Sequence, residues 1–277
     1  EISERLGERR FKEIASIDIG IVTGANNFFC VSKTEMIENE LAENRHLRIL
    51  PMLGRSNEVD GLEFTRDDFE RNLEWGKKCN MLIFNKESSK ESLNEELRRY
   101  IESGEEMDLQ KRYKCRIRDP WFWIPSVYPS ELSMFKRASE FTRLIHNPTK
   151  AHTTDTVYRV QCLENDDGVI AKHLAFSFVN SLTFLSCELE GRSYGGGVLE
   201  LVPGEVERVL LPVYKCTESE FKTLDGMLRK KTPIDEILDY TDSKIFDGRL
   251  DSRSLSKIRG SWRKLQQRRE VRGKSKV

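Results

Sequence analysis

Residues 11–31 read Phe-Lys-Glu-Ile-Ala-Ser-Ile-Asp-Ile-Gly-Ile-Val-Thr-Gly-Ala-Asn-Asn-Phe-Phe-Cys-Val. β-Branched and aromatic residues flank the turn-forming Thr23-Gly-Ala-Asn-Asn27, a pattern that predicts two strands joined by a loop. Directly after it, Ser32-Lys-Thr-Glu35 has capping-box spacing. A serine oxygen and a glutamate carboxylate three residues apart satisfy the orphan amides of a first helical turn, so a helix is expected there, with Met36, Ile37, Leu41 and Leu47 on one face. Strands followed at once by a helix point to an α+β fold.

Working outward, the stretch from about 89 to 103 predicts a second helix, with Leu93, Leu97 and Ile101 at spacing four and Gly104 as its stop. Pro51 to Ser56 reads as a loop and Met81 to Phe84 as a buried strand. Residues 111–118 form a basic, strand-like run, and Asp119-Pro-Trp-Phe-Trp-Ile-Pro125 should be held extended by its prolines, with Trp121 and Trp123 on one face. Leu144 to Pro148 and Val157 to Val160 look like arms of a sheet. Ala171 to Glu190 is the one long apolar helix, placed in the core. Val198 to Leu201 and Val209 to Leu211 follow as short strands. Composition then changes: Thr217 and Pro233 each open a helix, and Leu255, Ile258, Trp262 and Leu265 mark a final amphipathic one. The expected architecture is therefore a mixed or antiparallel sheet body with packed helices over 1–213, and a small helical subdomain over 214–277.

The 277 residues are 38% hydrophobic and 33% charged, ample for one or two cores and unlike a disordered chain. Six cysteines are scattered without a Cys-x-x-Cys pair, which argues against a zinc site or a disulfide framework. No apolar run approaches the roughly 18 residues a membrane span requires, so a reduced, cytoplasmic protein is expected. Starting at Glu1 instead of Met, the chain reads as a segment of something longer. Lys plus Arg equals Asp plus Glu at 46 each, yet cations concentrate at Lys111, Arg112, Lys114, Arg116 and Arg118 and again from Arg259 to Lys276. The second group, on an amphipathic helix, fits a solvated face as well as a nucleic-acid contact.

Four pieces in order, Gly20-Ile-Val-Thr-Gly-Ala-Asn-Asn-Phe-Phe29, Arg118-Asp-Pro-Trp121, the Asn147 to Val160 segment, and Glu190-Gly-Arg-Ser-Tyr-Gly-Gly-Gly197 with Pro203 and Pro212 beyond, resemble the C-terminal target-recognition region of N6-adenine DNA methyltransferases of restriction-modification systems. The closing Leu265 to Gly273 is similar to the ends of such enzymes. The resemblance implies a partner, double-stranded DNA, and an upstream S-adenosylmethionine-dependent domain that carries the catalytic motifs. Neither the glycine-rich cofactor motif nor an Asn-Pro-Pro-Tyr motif occurs here. Asn147-Pro148 continues with Thr149-Lys150, and Gly195 to Gly197 is followed by β-favouring Val-Leu-Glu-Leu where a nucleotide loop needs a helix. The chain itself is thus expected to bind and not to catalyse.

Candidate DNA-facing residues follow from chemistry. Asn reads adenine bidentately and Thr meets a thymine methyl, which nominates Thr23, Asn26 and Asn27; in a turn they are also favoured simply because Asn tolerates left-handed backbone. Lys111, Lys114, Arg116 and Arg118 are candidates for phosphate, with Trp121 beside them as a stacking surface or a core residue. Arg192 and Tyr194 flank the triple glycine, whose freedom serves either close backbone packing or a loop lying near DNA. Two alternatives remain at this point: a metal-dependent nuclease, although the acidic residues sit in helical segments, and a structural or partner-docking domain.

Overall fold

The structure, a computed structural model, describes residues 8–163 and 170–274, with the side chains of 272–274 left aside. In chain order the elements are β1 (Glu8–Arg10), β2 (Ala15–Asp18), α1 (Asn26–Phe29), β3 (Cys30–Val31), α2 (Lys33–Glu38), β4 (Leu47–Leu53), α3 (Arg66–Glu74), β5 (Asn80–Phe84), α4 (Glu95–Glu106) and α5 (Tyr113–Arg116). The next are β6 (Leu132–Phe135), β7 (Arg137–Ala138), β8 (Leu144–His146), β9 (His152–Thr153), β10 (Val157–Cys162), α6 (Ala171–Phe178), α7 (Ser181–Glu190), β11 (Arg192–Tyr194) and β12 (Val198–Glu200). Last come α8 (Pro203–Val206), β13 (Leu210–Pro212), α9 (Glu218–Arg229), α10 (Ile234–Ile245) and α11 (Ser252–Lys274). The fold is α+β.

Two four-stranded sheets form the body. One has the order β2-β10-β6-β8 and is antiparallel throughout; the other has the order β3-β5-β4-β9, with β9 added parallel to β4. The connection from β9 to β10, residues 154–156, therefore passes from one sheet to the other. A small β11-β12-β7 sheet and the β1-β13 pair complete the strands. Each large sheet has its own core. Phe28, Phe29, Phe84, Tyr100 and Phe122 fill the one beside β3-β5-β4. Beside the other sheet, Tyr158, Phe176 and Phe178 join Phe221, Leu238 and Trp262 in one buried cluster, so α9, α10 and α11 share their apolar faces with α6 and α7.

Several elements differ from expectation for local reasons. Thr23–Asn27 is not a hairpin loop: the Thr23 hydroxyl accepts the Ala25 N–H at 3.1 Å and donates to Asn26 Oδ1, which turns the chain directly into α1. The basic run is coiled, not extended; α5 buries Cys115, and Arg118 donates to the Val22 and Thr23 carbonyls at 2.6 and 2.7 Å. Residues 119–123 turn as well, with Trp123 N–H donating to Pro120 O at 3.0 Å. The capping box at Ser32 forms, but α2 ends at Glu38 and leaves Ile37 68% exposed. β4 continues through Pro51 to Leu53. Gly104 lies within α4, where a β-carbon would stand 2.8 Å from the rings of Phe28 and Trp121, so it is a packing glycine and not a stop. The apolar stretch 171–190 is two helices because Asn180 accepts the Thr183 N–H at 2.9 Å and starts a new one.

The two halves of the chain are also joined by ions. Asp68, buried at the start of α3, takes Arg229 of α9 at 2.8 and 3.0 Å, and Arg229 also holds Asp225 at 2.6 Å. Burial raises the Asp68 carboxyl, but hydrogen bonds from Arg229 and Thr65 outweigh it and the net shift is downward. A depressed carboxyl stabilises the fold above its unfolded pKa, about 3.9, and that contribution is lost as pH falls through the folded value. Denaturation followed against pH is expected to show stability falling below about pH 4, with a shallower fall in Asp68→Asn; an identical profile in the variant would contradict this.

A candidate nucleic-acid interface between the two sheets

Where the β9–β10 connection passes between the sheets, a cleft of about 810 Å³ opens. Its walls come from separate segments: Asn26 and Asn27 from the first turn with Cys30 of β3, Gly54 to Glu58 after β4, Lys78 before β5, Phe135 to Arg137 where β6 passes into β7, and Thr154 to Thr156. The position of the first turn follows from Gly20, where a β-carbon would lie 2.1 Å from Thr154 O and 2.5 Å from Val157 O. Only glycine lets the chain after β2 pass that close to the connection, and this brings Asn26 within 3.1 Å of Asp155.

Four cations, Arg55, Lys78, Lys136 and Arg137, face two carboxylates, Glu58 and Asp155. Glu58 belongs to the scaffold. It is 2% exposed, and one carboxylate oxygen accepts the Gly54 and Arg55 amides at 2.7 and 3.1 Å, which curls residues 54–58 and leaves the Arg55 side chain exposed. Burial nevertheless pushes its carboxyl upward. Lys78 pairs with Glu35; burial opposes ionisation of that carboxyl, but the bond from Lys78 and those from Ser32 bring it below its usual range. Arg137 donates to Glu200 at 2.6 Å and lies over the Tyr194 ring, 4.2 Å from its centroid. The Cys30 thiol is pushed up to about 12 by burial, so it is neutral and no nucleophile.

The expected site residues divide into two groups. Asn27 is exposed and Asn26 half-exposed on the cleft wall. Thr23 is fully buried and shapes the loop through its bonds to Asn26 and the Ala25 N–H. Lys114 and Arg116 are exposed beside the Tyr113 ring, 5.4 and 5.5 Å from its centroid. Lys114 also abuts Gly24, so α5 braces the Val22–Gly24 limb of the loop whose Asn26–Asn27 limb lines the cleft. Lys111 is exposed and paired with Asp108 at 2.8 Å. Arg118 is occupied by backbone carbonyls and acts as a clamp. Trp121 packs among Phe28, Phe29 and Phe122, its Nε1–H donating to Glu105 at 3.3 Å, and so belongs to the core and not to a stacking platform.

Tyr194 reaches the cleft through its stacking on Arg137, whereas Arg192 is tied to Glu205. Gly195–Gly197 makes the turn between β11 and β12, with φ of +75° and +76° at Gly196 and Gly197. A β-carbon at Gly197 would lie 2.9 Å from the Glu270 backbone, so the run serves close packing on α11. With strands on both sides it does not fit a loop for a nucleotide or S-adenosylmethionine. On the tail, Arg269 is buried and paired with Glu188, unlike a solvated cation; Lys276 lies outside the described residues. Among the described residues no group of three or more His, Cys, Asp or Glu could hold a metal ion, and no helix is long and apolar enough to cross a membrane. Arg55, Lys78, Lys136 and Arg137 escaped sequence reading because each is an isolated or paired cation; the Lys77-Lys78 and Lys136-Arg137 doublets were the visible signals.

Residues 1–246 match the family described as Type II methyltransferase M.Eco57I, C-terminal domain. The chain belongs to this family. It is also 24% identical over 257 residues to Type II methyltransferase M.AccI of Acinetobacter calcoaceticus, a match that covers 90% of this chain and 43% of that protein. Among solved structures, the type IIG restriction endonuclease BpuSI superposes with a TM-score of 0.56 at 14% identity, over 98% of this chain and 33% of the other. This M.Eco57I-type C-terminal domain thus spans less than half of the curated relative, and the shared architecture with BpuSI is one of fold.

Proposed function

We propose that this chain is the DNA target-recognition region of an adenine-N6 methyltransferase in a cytoplasmic restriction-modification system. It grips duplex DNA in the cleft between the sheets, reads a short site, and presents an adenine to an S-adenosylmethionine-dependent domain upstream. The cofactor's methyl-transfer chemistry belongs to that upstream domain. The main support is the convergence of four cations with the Asn26–Asn27 turn on one open cleft, a combination of phosphate contacts and amide groups able to read base edges. In this reading Arg55, Lys78, Lys136 and Arg137 meet phosphates, Lys111, Lys114 and Arg116 extend the cationic track, and Asn27 faces the bases, with Asn26 beside it shaping the cleft wall. Thr23, Arg118 and Trp121 hold the loop in place, while Arg192 and Tyr194 support the hairpin behind Arg137.

Electrophoretic binding to a random-sequence duplex pool, with the bound fraction sequenced, tests this. The expected result is salt-sensitive binding and enrichment of one short motif. Binding that is indifferent to both salt and sequence would contradict it.

A further inference from the structure

Asp155 is an anomaly in a cleft that would receive DNA. It is exposed and lies among four cations, yet three of them look elsewhere: Lys78 to Glu35, and Lys136 and Arg137 to Glu200. Asp155 instead accepts one hydrogen bond, from Asn26 Nδ2 to its Oδ1 at 3.1 Å. That donor is itself oriented. The Thr23 hydroxyl, fully buried and anchored by the Ala25 N–H, donates to Asn26 Oδ1, so the amide nitrogen of Asn26 is the end that faces Asp155. The relay Thr23 to Asn26 to Asp155 fixes one carboxylate oxygen and leaves the other as an open acceptor on the cleft wall.

A fixed carboxylate is repelled by phosphate, so its useful counterpart in a duplex is a base-edge donor. The major groove offers two exocyclic amines, on adenine and on cytosine. Adenine presents its amine beside the N7 acceptor, which opposes a carboxylate; cytosine presents N4 without an acceptor of its own in that groove. We propose that Asp155 is a specificity residue that accepts a hydrogen bond from cytosine N4 at one position of the target, with Asn26 as its positioning residue. This rests on the DNA-recognition reading above.

The test compares wild-type chain, Asp155→Ala and Asn26→Ala in selection from a random duplex pool, with folding checked by circular dichroism. Wild type should enrich a motif with one fixed cytosine. Asp155→Ala should lose that preference by roughly 5- to 100-fold while the other positions stay fixed, and its affinity for unrelated duplex should rise because a phosphate-repelling charge is gone. Asn26→Ala should relax the same position to a smaller degree. An unaltered motif in Asp155→Ala, or loss of preference at every position in a folded variant, would overturn the assignment of Asp155 alone. Failure of the wild-type chain to enrich any motif would instead overturn the recognition reading, and the assignment with it.

Discussion

Arg269→Ala is expected to destabilise the fold by about 3–5 kcal/mol, measured by denaturant unfolding. Arg269 is 4% exposed; its Nε and Nη2 reach both oxygens of Glu188 on α7 at 3.1 and 2.9 Å, and Nη1 donates to Ser139 O at 2.9 Å and to Gly197 O. One guanidinium thus ties α11 to α7 and to the β11–β12 turn. Its removal leaves the Glu188 carboxylate, whose side chain is 5% exposed, buried without a counter-ion, and leaves carbonyls unpaired as well. The penalty comes from that stranded charge more than from the lost attraction. The double variant Arg269→Met with Glu188→Leu, which removes both charges and keeps the volume, should therefore recover most of the loss. A single variant within about 1 kcal/mol of wild type would show that the pair is solvated.

The second large effect concerns binding. Replacing Arg55, Lys78 and Arg137 together by alanine is expected to weaken duplex binding on the order of 100-fold at moderate salt and to lower the slope of log affinity against log salt by about three units. The weakening should be nearly uniform across sequences, because phosphate contacts position the duplex and carry little sequence information. None of the three side chains is in an apolar core, so unfolding should change little: Arg55 is exposed, Lys78 is paired with Glu35 at the surface, and the Arg137 side chain is 49% exposed. An unchanged salt slope in the triple variant would remove the cleft from the interface.

Sequence reading succeeded where the determinant was local. The Ser32–Glu35 capping box, the helix opened by Thr217, the buried strand at 81–84 and the strand at 157–160 all form, and the strand expected over 198–201 covers 198–200. It failed where tertiary contacts decided. The charges of residues 111–116 resembled a strand until Cys115 and Arg118 are seen anchoring the short helix α5 on the Val22–Gly24 backbone. Gly104 resembled a helix stop because nothing in the local sequence reveals the rings of Phe28 and Trp121 against it. The apolar run 171–190 resembled one helix, but the side chain of Asn180 within it caps a second. Of the cleft, the Asn26–Asn27 turn was legible, while the cations that face it come from three other segments and converge only through sheet pairing and the close approach at Gly20.

Hydrogen exchange of the chain with and without a duplex carrying its selected motif tests the central claim most directly. Slower exchange of the amides in 26–30, 54–58, 135–137 and 154–156 on binding is the predicted result. Protection confined to α9, α10 and α11, with those four segments unchanged, would contradict the assignment of the cleft.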